Sequence, residues 1–309
     1  MIHVSQMLTQ VDEARMNSHL LYIARHPLPF RKVNYTIPGR SVPTLEETDR
    51  YIVTQLTGYG YCVGREPCLV KPFGRDLHKP KRHQYAPPPP DSPAYTVFNL
   101  YGHKTGQRIP DEIILLLAHK DSQSWIDSPG AYDNGVGTVA LLELARLLAT
   151  YPTKRTVRFL FCNEEHTPWT SITAARRARE RNDHLISVIN LDSLGGKSDE
   201  AIAEEKKTNV TLYTEPQGKR VADLIAEVNL YYAIGLEQES YQRPAPGDDD
   251  GSFVRAGYGC AVCNIGSYPY ADRQYHLEGD TPDRVDIANV RMATQATLAA
   301  VLHIDKHGI

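Results

Sequence analysis

The chain has too few cysteines for a disulfide scaffold, no apolar run approaching a membrane span, and no excess of either charge. Its five cysteines, Cys62, Cys68, Cys162, Cys260 and Cys263, are an odd number in a long chain, which suits a reducing compartment. Cys260 and Cys263 have CxxC spacing, but they lie in the apolar, strand-like run CAVCNIG and read as buried thiols. A transmembrane helix needs about 20 consecutive apolar residues, and nothing here comes close. Met1 to Gln10 lack the basic region and apolar core of a secretory leader. The expected location is therefore cytoplasmic, or secreted had an export signal been trimmed. The 34 Lys and Arg against 37 Asp and Glu leave a formal net charge of -3, without the basic footprint of a nucleic-acid binder. Neither nucleic acid nor a membrane is an expected partner.

What is present is the composition of a folded protein, with 41% hydrophobic and 23% charged residues. A single domain over residues 1–309 is the simplest organisation, since one α/β core can reach this size. Residues 10–25 and 44–57 carry helix-like apolar spacing. The second opens with Pro43, Thr44, Glu46 and Glu47, which suits a helix N-terminus. Residues 71–93 combine basic side chains with the run Pro87 to Pro90 and are expected to form a surface excursion between two strands. From residue 111 the pattern alternates. Apolar runs at 113–118, 156–162 and 185–191 read as strands buried on both faces, and 136–150 and 170–182 read as helices between them. Strands at 209–213 and 260–265 and helices at 217–229 and near 286–306 complete the order. This predicts a three-layer α/β/α sandwich around a central mixed, mostly parallel sheet.

Each of the three buried strands ends in residues that a sheet interior rejects. His119 and Asp121 follow the first, Glu164 and Glu165 the second, and Asp192 the third. Open α/β sheets place ligand sites at such carboxyl ends. Several carboxylates held close together cannot all stay ionised without a countercharge, and a cation would supply it. Asp133 sits in the glycine-rich loop SPGAYDNGVG, and His276 lies in YHLEGDTPDRVD; both segments run into helices.

The motifs AHKD (118–121), SPGAYDNGVG (128–137), CNEEH (162–166), NLDSLG (190–195) and YHLEGDTPDRVD (275–286), in this order, resemble the di-zinc aminopeptidases of the aminopeptidase Y and leucyl aminopeptidase type. The likeness extends to the N-terminal helices and to GDDDGSFVRAG (247–257), and it implies a zinc exopeptidase fold. By this resemblance one zinc is held by Asp133, Glu165 and His276 and the other by His119, Asp133 and Asp192, with Asp133 bridging. Asp121 would orient His119 through its second ring nitrogen. Asp249 matches an acid near the site, although the histidine that usually follows it is Asp250 here. Three carboxylates, two neutral imidazoles and a bridging hydroxide would balance two zinc ions, with cobalt or manganese as substitutes. Glu164, adjacent to a ligand, would be the general base in the removal of N-terminal amino acids from peptide substrates.

The same ligand set occurs in the related glutaminyl cyclases. Tyr275 before His276, where cyclases have Trp, and Asn134-Gly-Val-Gly after Asp133 favour the peptidase. A non-catalytic interaction module on this fold would be expected to lose ligands, and every one is present.

Overall fold

The computed structural model describes residues 4–309. Three helices open the chain, α1 (Val4–Leu8), α2 (Glu13–Ala24) and α3 (Thr44–Gly58). They are followed by β1 (Val63–Pro72), the short pair β2 (Gly74–Arg75) and β3 (Tyr85–Ala86), and β4 (Tyr95–Lys104). Strands and helices then alternate through β5 (Ile109–His119), α4 (Val136–Ala149), β6 (Arg155–Cys162), β7 (His166–Thr167), α5 (Thr170–Glu180) and β8 (His184–Leu191). The remainder comprises α6 (Asp199–Ala203), β9 (Thr208–Tyr213), α7 (Pro216–Tyr231), β10 (Glu237–Gln242), α8 (Asp248–Arg255), β11 (Ala261–Ile265) and α9 (Ile287–His307). No helix among the described residues is long and apolar enough to cross a membrane.

Nine strands form one mixed sheet in the order β10-β9-β11-β8-β5-β6-β4-β1-β7. The central strands β11, β8, β5 and β6 run parallel, as do β9 and β10, while β9 pairs antiparallel with β11 on one side and β4 and β1 add antiparallel pairings on the other. Side chains of β5 divide by the two-residue period of a strand. Ile114, Leu116 and Ala118 join the larger core with Val157, Phe159 and Phe161 of β6. Ile113, Leu115 and Leu117 face the other way, with Leu160 and Cys162. Helices α4, α7 and α9, backed by α1 to α3, cover the first face, and α5 and α8 cover the second. The result is the expected α/β/α sandwich.

Burial on both faces explains why these central strands are almost wholly apolar and why their polar residues wait for the strand ends. Register fixes where those ends fall. His119 pairs with Cys162, and Leu117 with Asn190, so β5, β6 and β8 finish level at one edge of the sheet. His119, the Glu164–Glu165 pair and Asp192 consequently emerge side by side.

Residues 71–93 do lie between two strands and hold little regular structure. They are not merely superficial, however: the segment folds back over the carboxyl edge of the sheet, where the Arg82 carbonyl accepts a hydrogen bond from His276.

Candidate metal centre

The loop that presents Asp133 is held by many backbone contacts. Gly130 adopts a left-handed conformation (φ 59°), and a Cβ there would collide with backbone and with Ser122. Gly137 brings the start of α4 against the Leu191 carbonyl, leaving no room for a side chain. Asn134 spans the same gap, donating to the Leu191 carbonyl at 2.7 Å and accepting from the Gly137 N–H at 2.8 Å. Asp280 lies beneath the loop, where its carboxylate accepts the N–H groups of Tyr132 (2.7 Å) and Asp133 (3.1 Å). Burial pushes that carboxyl up to about 7, against the lowering effect of the two N–H groups.

Asp133 sits between the two histidines. Its Oδ1 is 2.9 Å from His119 Nε2, and its Oδ2 is 2.8 Å from His276 Nε2. Asp192 Oδ1 lies 3.5 Å from His119 Nε2, and Glu165 Oε1 lies 3.4 Å from His276 Nε2. Two triads result, His119–Asp133–Asp192 and Asp133–Glu165–His276, each with its donor atoms within 4.8 Å of one another. All five residues are buried. They are the five named from the sequence, brought together from three strand ends and two loops.

Electrostatics shows why the cluster suits a cation. Burial raises the Glu165 carboxyl, and the adjacent Asp133 raises it further against the pull of His276. Burial also works to raise Asp133, yet His276 and His119 hold it well below the ordinary carboxylate range. Buried carboxylates at this density need a positive partner. Imidazole nitrogens mixed with carboxylate oxygens are donors that suit zinc.

Around the triads, Asp121 is the organising group. Its oxygens accept from the N–H of Glu164 (3.0 Å) and of Glu165 (2.9 Å), and they face His119 Nδ1 at 3.2 Å and His166 Nδ1 at 2.6 Å. Although burial opposes its ionisation, the two histidines hold its carboxyl well below the usual range. With Nδ1 of His119 on Asp121, Nε2 is turned toward Asp133 and Asp192. His276 is oriented in the same manner by the Arg82 carbonyl, 3.0 Å from its Nδ1.

Glu164 lines the cavity beside the triads, and its Oε2 is buried with no hydrogen-bond partner. Burial drives its carboxyl well above the ordinary value, reinforced by Asp249, Asp192 and Asp248. Asp249 is itself buried, accepts from the Cys162 thiol at 2.9 Å, and is close enough to Glu164, His119 and Asp192 to interact with their charges, although it belongs to neither triad. The cavity has a volume of about 240 Å³ and aromatic walls that include Phe73, Tyr85, Trp125 and Trp169. A wider surface groove bordered by Tyr22, Arg40 and Arg50 contains none of these groups.

Several participants carry no strong sequence signal. His166 belongs to CNEEH, and its partnership with Asp121 depends on the fold. Lys120, inside AHKD, is fully buried and bonds Asp49 (2.9 Å) and Asn163 (2.6 Å). The ring of Tyr275 stacks on His276 with centroids 3.9 Å apart, and Trp125 meets the same imidazole edge-on at 5.1 Å.

Residues 99–301 match the sequence pattern of Peptidase family M28. The chain belongs to peptidase family M28. Among curated relatives, this M28 chain is 27% identical over 226 residues to a probable aminopeptidase, YDR415C, of Saccharomyces cerevisiae, covering 69% of the chain and 59% of that protein. It is 33% identical over 148 residues to a probable zinc metalloprotease of Pyrenophora tritici-repentis, covering 45% of the chain and 33% of that protein. The chain thus spans from a third to three fifths of the length of these two relatives. Among solved structures, an aminopeptidase from Aneurinibacillus sp. strain AM-1 superposes with a TM-score of 0.74 at 16% identity, covering 97% of this chain and 96% of that one. A glutaminyl cyclase of Bacteroides thetaiotaomicron superposes with a TM-score of 0.72 at 17% identity, covering 94% and 98%. These likenesses establish the fold.

Proposed function

We propose that this M28 chain is a metallo-aminopeptidase that uses zinc to hydrolyse the N-terminal peptide bond of its substrates. The observation that carries this reading is the sharing of Asp133 between two donor triads with the unpartnered Glu164 carboxyl at their side. One zinc ion would be held by His119, Asp133 and Asp192, the other by Asp133, Glu165 and His276, with cobalt or manganese able to substitute. When bound, such ions polarise a carbonyl and lower the pKa of water to about 7.

The chain's own groups do the rest. Glu164 takes a proton from the attacking water at its carboxylate and returns it to the departing amine, a pair of tasks that one carboxyl can perform. Asp121 keeps His119 turned toward the triad, and the Arg82 carbonyl does so for His276. Tyr85, Trp125 and the other aromatic walls exclude water. Of the chain's tyrosines, Tyr85, Tyr270 and Tyr275 line the cavity, which makes them the candidates to donate to a developing oxyanion. The same reading takes residues 1–309 as one catalytic domain and, from the odd number of cysteines, places it in the cytoplasm.

The fold also serves a glutaminyl cyclase, so the test uses a peptide with N-terminal glutamine. Incubation with zinc-loaded protein is expected to release free glutamine. Pyroglutamyl peptide without release of an amino acid would instead establish cyclase chemistry.

A further inference from the structure

Besides Glu164, one acid on the cavity wall has no part in either triad. Asp248 opens α8 in a left-handed backbone conformation (φ 52°) and lines the cavity together with Ser193, Gly247, Tyr270 and Tyr275. Of the six non-glycine residues with positive φ among those described, Ser193, Asp248 and His276 all border this cavity. Such conformations cost energy and persist where the surroundings enforce them, often at ligand-binding positions.

Asp248 shares its one cation with a second acid. Arg243 donates from Nη1 to Asp248 Oδ2 at 2.6 Å and from Nη2 to Asp250, so one guanidinium serves two carboxylates. Asp250 is fully buried, and its Oδ1 has no partner. The Asp248 side chain retains 25% of its exposure and borders the cavity, whereas Asp250 does not. Asp248, Asp250 and Cys263 also have the proximity of a cation-binding group, but Arg243 already supplies the positive charge there.

The neighbours of Asp248 fit an organic cation. Tyr270 and Tyr275 stack with centroids 4.7 Å apart and planes 5° apart, and both rings border the cavity. With Tyr275 stacked between His276 and Tyr270, the rings offer their hydroxyls rather than open faces, and phenol oxygens beside a carboxylate favour ammonium and guanidinium groups, which donate to both. Gly247 and Ser193 are small, so a long side chain has room to reach the acid.

We propose that Asp248, set by Arg243 and flanked by Tyr270 and Tyr275, binds the cationic side chain of the substrate's N-terminal residue and makes the site selective for lysine and arginine. This rests on the peptidase reading for the orientation of the substrate. An ammonium group is also present at the α-position of every unblocked peptide, and the experiment separates the two sources.

Binding of lysinamide and norleucinamide to the zinc-loaded protein is measured by calorimetry, since both carry the α-ammonium and only one the side-chain cation. The wild type should bind lysinamide about tenfold more tightly, the scale of a charge-assisted hydrogen bond. Asp248→Asn should remove most of that difference. In parallel, kcat/KM for lysyl, arginyl and norleucyl p-nitroanilides should show the same preference, and its loss in D248N should appear in KM. Equal binding of the two amides by the wild type would overturn the proposal without any variant having to fold. An equal loss on all three substrates in D248N would move the cation to the α-ammonium and overturn the side-chain assignment. Failure to cleave any of the three would refute the peptidase reading instead, while the amide comparison would still decide the subsite.

Discussion

Arg31 and Gly130 are joined by a hydrogen bond of 2.6 Å from Nη2 to the carbonyl oxygen, although 99 positions separate them. The same buried guanidinium donates to the carbonyls of Pro129 (2.6 Å), Lys120 (2.8 Å) and Ile23 (3.2 Å). One side chain therefore ties the segment after α2 to both the end of β5 and the Asp133 loop. Arg31→Ala would leave several buried carbonyls without a donor, each costing about 1–3 kcal/mol. Chemical denaturation should show a loss of at least about 3 kcal/mol, with a smaller loss in Arg31→Lys, which keeps a charge and part of the donor set. Equal stability of R31A and wild type would show that these hydrogen bonds do not hold the loop.

Asp121 should matter to metal binding more than its distance from substrate suggests. Asp121→Asn cannot accept at both oxygens, so some of the contacts from His119, His166, Glu164 and Glu165 are lost. Zinc affinity is expected to fall about 10- to 100-fold, as for other partners of ligating histidines. Competition with a chromophoric chelator measures it, and unchanged affinity would mean that Asp121 does not orient His119.

Glu164→Gln provides the contrast. Zinc content should stay at the wild-type level while kcat falls by about 10²–10⁴, the usual worth of a positioned acid–base group. Elemental analysis and steady-state kinetics on one preparation read both. A variant that turns over normally removes Glu164 from the chemistry.

Metal uptake should be linked to protons. Without metal, burial works against a charge on His276, but Glu165 and Asp133 outweigh it and lift the group to about 10. His119 is likewise raised well above its ordinary value, burial being outweighed by Asp192, Asp121 and Asp133. Folded values above the unfolded value near 6.5 mean that these protonated histidines stabilise the metal-free fold fully below about pH 6.5. That contribution fades as pH rises toward 10. Zinc requires neutral imidazole, so binding at pH 7 releases protons, and affinity should increase roughly tenfold per pH unit for each proton released. Calorimetry in buffers of different ionisation enthalpy counts them; an affinity flat between pH 6 and 8 contradicts this linkage.

How much of this was legible in the sequence depended on whether the signal was local. Strands β5, β6 and β8 were readable because burial on both faces makes a strand continuously apolar, and the polar residues at their ends then stand out. By contrast β10, with the sequence EQESYQ, is an edge strand with most of its side chains exposed, so neither face leaves an apolar pattern. Helix α8 opens on three aspartates and carries Gly251 in its interior, so its eight residues give little local signal of a helix. For residues 71–93 the prolines told of irregular backbone. They carried no information about Arg82 reaching His276, a contact between positions 194 apart. Arg31 and His166 carry no local signal for the same reason: their roles lie in long-range partners, not in spacing. Asp133 and His276 were recognisable through motif resemblance, and their meeting across Asp133's two oxygens is a property of the fold.

The central claim is zinc-dependent cleavage at a free N-terminus. Its most direct test is hydrolysis of unblocked aminoacyl p-nitroanilides and their N-acetylated counterparts, before chelation, after chelation and after zinc is restored. Cleavage confined to the unblocked substrates, abolished by chelation and recovered with zinc is the predicted result. Absence of cleavage with zinc supplied, or full activity after complete removal of metal, would contradict it.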